Sequence, residues 1–156
     1  MKYSILENCK AIGECGLDKN INTDFSLQKQ IFKAHITLSE NIKKPLIIHC
    51  VKSFSEVIAI KKEMRPQQLW VLHGFRKNIT VANELIKNNI KLSFGKALLE
   101  DEKLQNILAT LSIENFFLET DDADICIQKI YQKASEIKGI SVEDLNLLLS
   151  QNFSKF

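Results

Sequence analysis

Proline and glycine are scarce here, at two and five of 156 residues, and that scarcity excludes collagen-like, low-complexity and linker-rich organisation. Charge of one sign is missing as well. Twenty-one Lys+Arg against 19 Asp+Glu leave a net charge of +2, so no broad basic field is available to grip nucleic acid. Any phosphate recognition must come from a local cluster. No apolar run approaches the ~20 residues that a membrane-spanning helix needs. The opening Met1-Lys2-Tyr3-Ser4 leads into Glu7 and Asn8 without the apolar stretch of a signal peptide. The four cysteines, Cys9, Cys15, Cys50 and Cys126, form neither a CxxC pair nor zinc-finger spacing. Together these absences predict a cytoplasmic chain with reduced thiols. What is present is ample apolar content, 45%, beside 26% charged residues, which suits one globular domain over 1–156 with a core that needs no covalent staples.

Five short apolar runs punctuate the chain: Ala11-Ile12-Gly13, Pro45 to Ile48, Leu69 to Leu72, Ile90 to Phe94, and Phe116 to Leu118. Each is too short for a helix and bounded by turn-forming or charged residues, and their continuous apolar character suits strands covered on both faces. Helical periodicity fills the intervals. Phe25 to Asn41 repeats apolar residues on one side, with Thr23 or Asp24 placed to cap its start. Phe54 to Met64 repeats the pattern until Arg65-Pro66 stops it, and Val81 to Ile86 ends at Asn88-Asn89, which can supply a left-handed cap. Leu104 to Leu111 and Ile125 to Ile137 follow, the second closed by Lys138-Gly139. Ser141-x-x-Asp144 then opens a last helix with a signal like a capping box. Five alternations of strand and helix predict an α/β fold with a parallel sheet.

Polar residues collect where these strands end. The first run leads into Glu14, the second into His49, the third into His73, and the fifth into Glu119-Thr120-Asp121. Active sites of parallel α/β folds gather at the carboxyl edge. One His or Glu at a strand end is more often a hydrogen-bonded structural residue than a ligand. Four strand ends that each deliver an imidazole or a carboxylate are a different matter, and the set suits a divalent cation with nitrogen and oxygen ligands. His35, placed mid-helix, reads as structural. Cys15 and Cys50 lack an activating His–Asp arrangement and read as packing residues. Gly13-x-x-Gly16 is too short for a nucleotide-binding loop.

The segments Ala11-Ile12-Gly13-Glu14-Cys15-Gly16-Leu17-Asp18, Pro45-Leu46-Ile47-Ile48-His49-Cys50, Leu72-His73-Gly74-Phe75 and Leu118-Glu119-Thr120-Asp121 resemble the TatD family of metal-dependent deoxyribonucleases, within the amidohydrolase-like TIM barrels. The ending Asn152-Phe153-Ser154-Lys155-Phe156 is similar to the family's closing turn. The resemblance implies that Glu14, His49, His73 and Asp121 are metal ligands, with Glu14 bridging where two ions bind, and that Asp121 and Glu14 are catalytic. It implies one or two ions of Mg, Mn or Zn as cofactor, and phosphodiester (DNA) hydrolysis by metal-activated water. Lys52, Arg76 and Lys19, close behind strand ends, are the expected substrate contacts, with Lys77 and Lys96 nearby. The family's His-x-His pair on the first barrel strand has no counterpart among residues 1–13, and five βα units match the C-terminal part of an eight-stranded barrel. A partial TIM-barrel-like sheet is therefore expected, with exposed edges that invite a homodimer. A remnant that binds metal or a partner without catalysis, and an amidohydrolase-like esterase or amidase, are the alternative readings.

Overall fold

A computed structural model describes residues 9–154. Five strands alternate with helices along the chain: β1 (Ile12–Asp18), α1 (Phe25–Ile42), β2 (Leu46–Val51), α2 (Phe54–Met64), β3 (Trp70–Leu72), α3 (Ile79–Lys87), β4 (Ile90–Phe94), α4 (Glu102–Thr110), β5 (Phe116–Leu118), α5 (Ile127–Lys138) and α6 (Val142–Phe153). The expected α/β alternation is observed. Two short 3-10 turns, Lys96–Leu99 and Ile113–Asn115, lie outside the sequence expectation. The chain divides into two compact units at His73/Gly74, with residues 88–90 grouped with the first. Neighbouring strands follow chain order and run parallel, β1-β2-β3 in the first unit and β4-β5 in the second.

In the first unit, α1 packs on β1 and β2, and α2 on β2. Leu17, Phe32, Ile36, Leu46, Ile48, Val57 and Trp70 are buried to within 1% of complete. Phe32 and Trp70 meet with ring centroids 5.4 Å apart. Asp24, not Thr23, caps α1: its carboxylate accepts from Leu27 N at 2.8 Å. Two strands are longer than their apolar runs indicate. β1 continues through Glu14 and Gly16 to Asp18, and β2 continues through His49 to Val51, so Glu14 and His49 lie inside strands rather than after them. Apolar content ends earlier than hydrogen bonding because the ladder needs only backbone, and Gly16, which adds no apolar side chain, still pairs with His49.

In the second unit, Phe75, Phe94 and Phe116 form an edge-to-face stack with centroids 5.7 and 6.2 Å apart. Helix α5 packs on α4 and α6. Lys138, in the last turn of α5, donates to the carbonyls of Leu108, Ala109 and Leu111 at 3.2, 3.1 and 2.6 Å, and so closes the carboxyl end of α4. Ser141 caps α6 by accepting from Asp144 N at 3.0 Å. Its hydroxyl donates to Asp144 Oδ2 at 2.7 Å, so the reciprocal arm of a capping box is replaced by a side-chain pair. Asn152, 9% exposed in α6, donates to Ile113 O at 2.8 Å, which gives the terminal asparagine a structural task. Left-handed backbone at Arg65, Asn89 and Gly139 ends α2, follows α3 and ends α5, and the left-handed cap expected at Asn88-Asn89 falls on Asn89.

Candidate metal centre

Glu14, Gly16 and Asp18 alternate along β1 and share its pleat, while Cys15 and Leu17 turn the other way into the core. Register places Gly16 against His49 on β2. It also pairs Ile48 with Leu72, which puts His49 and His73 at successive equivalent positions on neighbouring strands. The backbone bond from His73 N to Ile48 O, 3.1 Å, carries that alignment one step past the end of β3. Three adjacent strands therefore present Glu14, His49 and His73 side by side.

The missing side chain at Gly16 makes this approach possible. A Cβ there would lie 1.9 Å from the carbonyl oxygen of His49, and the residue holds φ at 152°, where L side chains are strained. Gly13 likewise faces Ile47, whose Cβ would lie 2.7 Å from an added methyl. The two glycines that resemble a weak nucleotide motif are in fact close-approach positions between β1 and β2.

One ligand atom from each of Glu14, His49 and His73 lies within 4.8 Å of the other two. His49 Nδ1 and His73 Nε2 are 3.2 Å apart, and His73 Nε2 lies 3.2 Å from Glu14 Oε2. Zn–N and Zn–O bonds of about 2.1 Å in a tetrahedron require ligand atoms about 3.4 Å apart, so these two edges already fit a small divalent ion. The donor set, two imidazole nitrogens and a carboxylate oxygen, suits zinc or manganese and accepts magnesium. The side chains of Glu14 and His49 are 48% and 40% exposed, and that of His73 only 12%, so the cluster is anchored on one flank and open to solvent on the other.

Asp18 joins this group although sequence reasoning gives it no role there. Its Oδ2 lies 3.0 Å from His49 Nε2, and its Oδ1 accepts from Asn20 N at 2.7 Å. The His49 hydrogen bond first, then that of Asn20 and the positive charge of Lys52, hold the Asp18 carboxyl below the usual carboxylate range. The signal was available in the parity of Glu14 and Asp18, four residues apart on a strand, but it depends on β1 running past Gly13.

Cys15 is buried against the core, and burial together with the neighbouring Glu14 charge pushes its thiol up to about 12. It stays protonated at neutral pH and is no nucleophile. His35 is tied to Ile31 O at 2.8 Å along its own helix, as a structural residue would be.

Asp121 stands exposed in the turn after β5, with φ at 51°, three positions beyond Leu118. Glu119, the intervening carboxylate, accepts from Gly74 N at 2.6 Å and is thereby committed to the loop after β3. Lys52 is exposed directly after β2, also left-handed at φ 53°. Lys19 forms an ion pair with Glu56 and lies 5.3 Å from the Phe25 ring centroid. That pairing holds the Glu56 carboxyl below its ordinary range. Arg76 lines an open cavity of about 660 Å³ with Lys77, Ile79, Lys103, Leu104 and Ile107, between the starts of α3 and α4.

The chain is similar to known proteins over most of its length. The family described as TatD related DNase matches residues 2–156. A metal-dependent hydrolase of Buchnera aphidicola, itself named as uncharacterized, is 37% identical over 124 residues, covering 77% of this chain and 47% of its own length. The crystal structure of the TatD homologue YjjV of Escherichia coli superposes with a TM-score of 0.80 at 20% identity, over 91% of this chain and 61% of that one. An amidohydrolase of Saccharomyces cerevisiae, also titled uncharacterized, gives a TM-score of 0.81 at 14% identity, over 99% of this chain and 67% of that one. The fold is that of about five βα units of the TatD and amidohydrolase barrels, and the chain spans about half the length of the Buchnera relative. With matching residues from end to end and the strand-borne Glu and His side by side, the chain belongs to the TatD-related DNase family.

Proposed function

We propose that the chain, read as a single TatD-like domain over 1–156, is a metal-dependent hydrolase that cleaves phosphodiesters, with DNA as the substrate class. The observation that carries this reading is the convergence of Glu14, His49 and His73, three residue types that bind divalent ions, with ligand atoms within 4.8 Å of one another. A divalent ion held by these residues would supply Lewis acidity, lowering the pKa of water towards about 7 so that a nucleophile is available at neutral pH.

The chain's own groups divide the remaining work. His49 and His73 offer imidazole nitrogens, and Glu14 offers the carboxylate charge that offsets the cation. Asp121 is assigned, on the family resemblance, as the fourth ligand and as the carboxylate that accepts the proton of the attacking water. Lys52 and Arg76 are assigned to phosphate oxygens. Lys19 is the weakest of the three phosphate assignments, because its ammonium already pairs with Glu56. Salt should weaken substrate binding in proportion to the number of phosphates these cations neutralise. A homodimer is proposed through the outer edge of β1, which among the described residues has β2 as its single strand partner. No described helix is long and apolar enough to cross a membrane.

The experiment is hydrolysis of single-stranded and duplex DNA, and of a simple phosphodiester ester, by protein loaded with Mn²⁺, Mg²⁺ or Zn²⁺. Loss of activity in Glu14→Ala, His49→Ala and Asp121→Ala is expected, by a factor of roughly 10² or more. Equal rates in these variants, or activity on carboxylic esters with none on phosphodiesters, would overturn the assignment.

A further inference from the structure

We propose that Asp18, clamped by Gln28, is the positioning residue of this centre and fixes His49 in the tautomer whose bare Nδ1 faces His73 and Glu14. The inference rests on the metal-site reading above and extends it to a residue that the family match leaves without a task.

Gln28, on α1, is a buried polar side chain, 7% exposed. A buried amide is costly unless its groups are used, and here both ends are. Its Oε1 accepts from Asp18 N at 2.8 Å, and its Nε2 donates to Asp18 O and to Thr23 O, each at 3.0 Å. One side chain therefore grips both polar atoms of the Asp18 backbone at the end of β1. This fixes the amide orientation too, because Asp18 N–H needs an acceptor and the two carbonyls need a donor. On the strand side, Asp18 is in register with Val51 of β2.

The carboxylate is fixed next. Oδ1 accepts from Asn20 N at 2.7 Å, closing a local turn, which leaves Oδ2 aimed at His49 Nε2 over 3.0 Å. A carboxylate accepts and cannot donate, so the imidazole proton must sit on Nε2. In a neutral ring the other nitrogen, Nδ1, is then a lone pair, and it is this atom that stands 3.2 Å from His73 Nε2. The opposite tautomer would point an N–H at the place where a cation has to sit. Partners of this kind behind metal-ligating histidines typically contribute 10–100-fold in affinity.

The decisive variant is Asp18→Asn, which preserves shape. The carbonyl oxygen of Asn would stay with Asn20 N–H, so its NH₂ would fall opposite His49 Nε2 and demand a lone pair there. The ring proton would move to Nδ1, facing the site. The measurement is long-range proton–nitrogen correlation NMR on ¹⁵N-histidine-labelled, metal-free protein, at a pH where imidazoles are neutral, paired with Zn²⁺ and Mn²⁺ affinities by chelator competition. The expected result is Nε2–H at His49 in the unsubstituted chain, Nδ1–H in D18N, and a 10–100-fold loss of metal affinity. Gln28→Leu should give a mixed tautomer population and a smaller loss. Nδ1–H in the unsubstituted chain overturns the proposal without any variant, and so does an unchanged tautomer with unchanged affinity in D18N. The two failures are separable. An unsubstituted chain with Nε2–H that takes up no ion sinks the metal reading and leaves the positioning role standing. Equal affinity in both proteins sinks the positioning role and leaves the metal reading intact.

Discussion

Gly16 carries no side chain because none fits: an added Cβ would sit 1.9 Å from the carbonyl oxygen of His49. Backbone, unlike a flexible side chain, cannot step aside without parting β1 from β2. Gly16→Ala should therefore cost roughly 3 kcal/mol or more of stability and abolish metal uptake together, measured as the urea midpoint and as bound ion. An alanine variant of normal stability would contradict the close approach. Lys61 gives a second test at this scale. It is 9% exposed, its ammonium lies 4.4 Å from the Trp70 ring centroid, and burial pushes its pKa down to about 8, with the charge of Glu40 opposing. Between about 8 and the ordinary 10.5 the unfolded chain holds a proton that the folded chain has released. Stability must then rise with pH across that window and be indifferent to this group below it. Urea midpoints at neutral pH and near pH 10 should show the rise, and Lys61→Met should remove it. An identical pH profile in the variant would mean that Lys61 keeps its proton, held by the indole face.

The elements show which parts of the fold a sequence discloses. Helix limits were legible because their signals are local. Asp24 accepts from Leu27 N, Arg65 and Gly139 take left-handed backbone, and Ser141 caps α6. Strand β4 and strand β5 match their apolar runs end to end. Strand β1 does not, because Glu14, Gly16 and Asp18 belong to the pleat that turns away from the core, and apolar content cannot report such residues. The same cause hid Asp18, whose role depends on the register with His49, thirty-one positions away in sequence. Glu14, His49 and His73 were legible as chemistry-bearing residues near strand ends, while their mutual distances depend on the β1-β2-β3 alignment. In sequence Lys138 marks only a helix terminus. Its three carbonyl partners on α4 and after it make Lys138→Met a loss of roughly 1–2 kcal/mol, seen as a lower melting temperature. Asp24→Ala should cost about 1 kcal/mol by the same readout, since it frees the first turn of the helix that carries Gln28.

At the scale of the molecule, the chain presents a three-stranded and a two-stranded parallel arrangement in chain order, and β1, seven residues long, has β2 as its one strand partner among the described residues. Unpaired backbone donors and acceptors along such an edge template a further strand. Light scattering should give the mass of two chains, and a dispersed monomer at high concentration would contradict pairing through this edge. Family membership and the shared fold give the chain its frame, whereas the chemistry proposed for it depends on three side chains on or directly after three neighbouring strands. The most direct measurement is therefore the divalent metal bound per chain after loading and dialysis, with Zn²⁺ and Mn²⁺, in the unsubstituted protein and in the double variant His49→Ala/His73→Ala. An ion retained in at least equimolar amount by the first and lost from the second is the predicted result. Equal retention by both proteins, or none by either, would contradict a centre built on Glu14, His49 and His73.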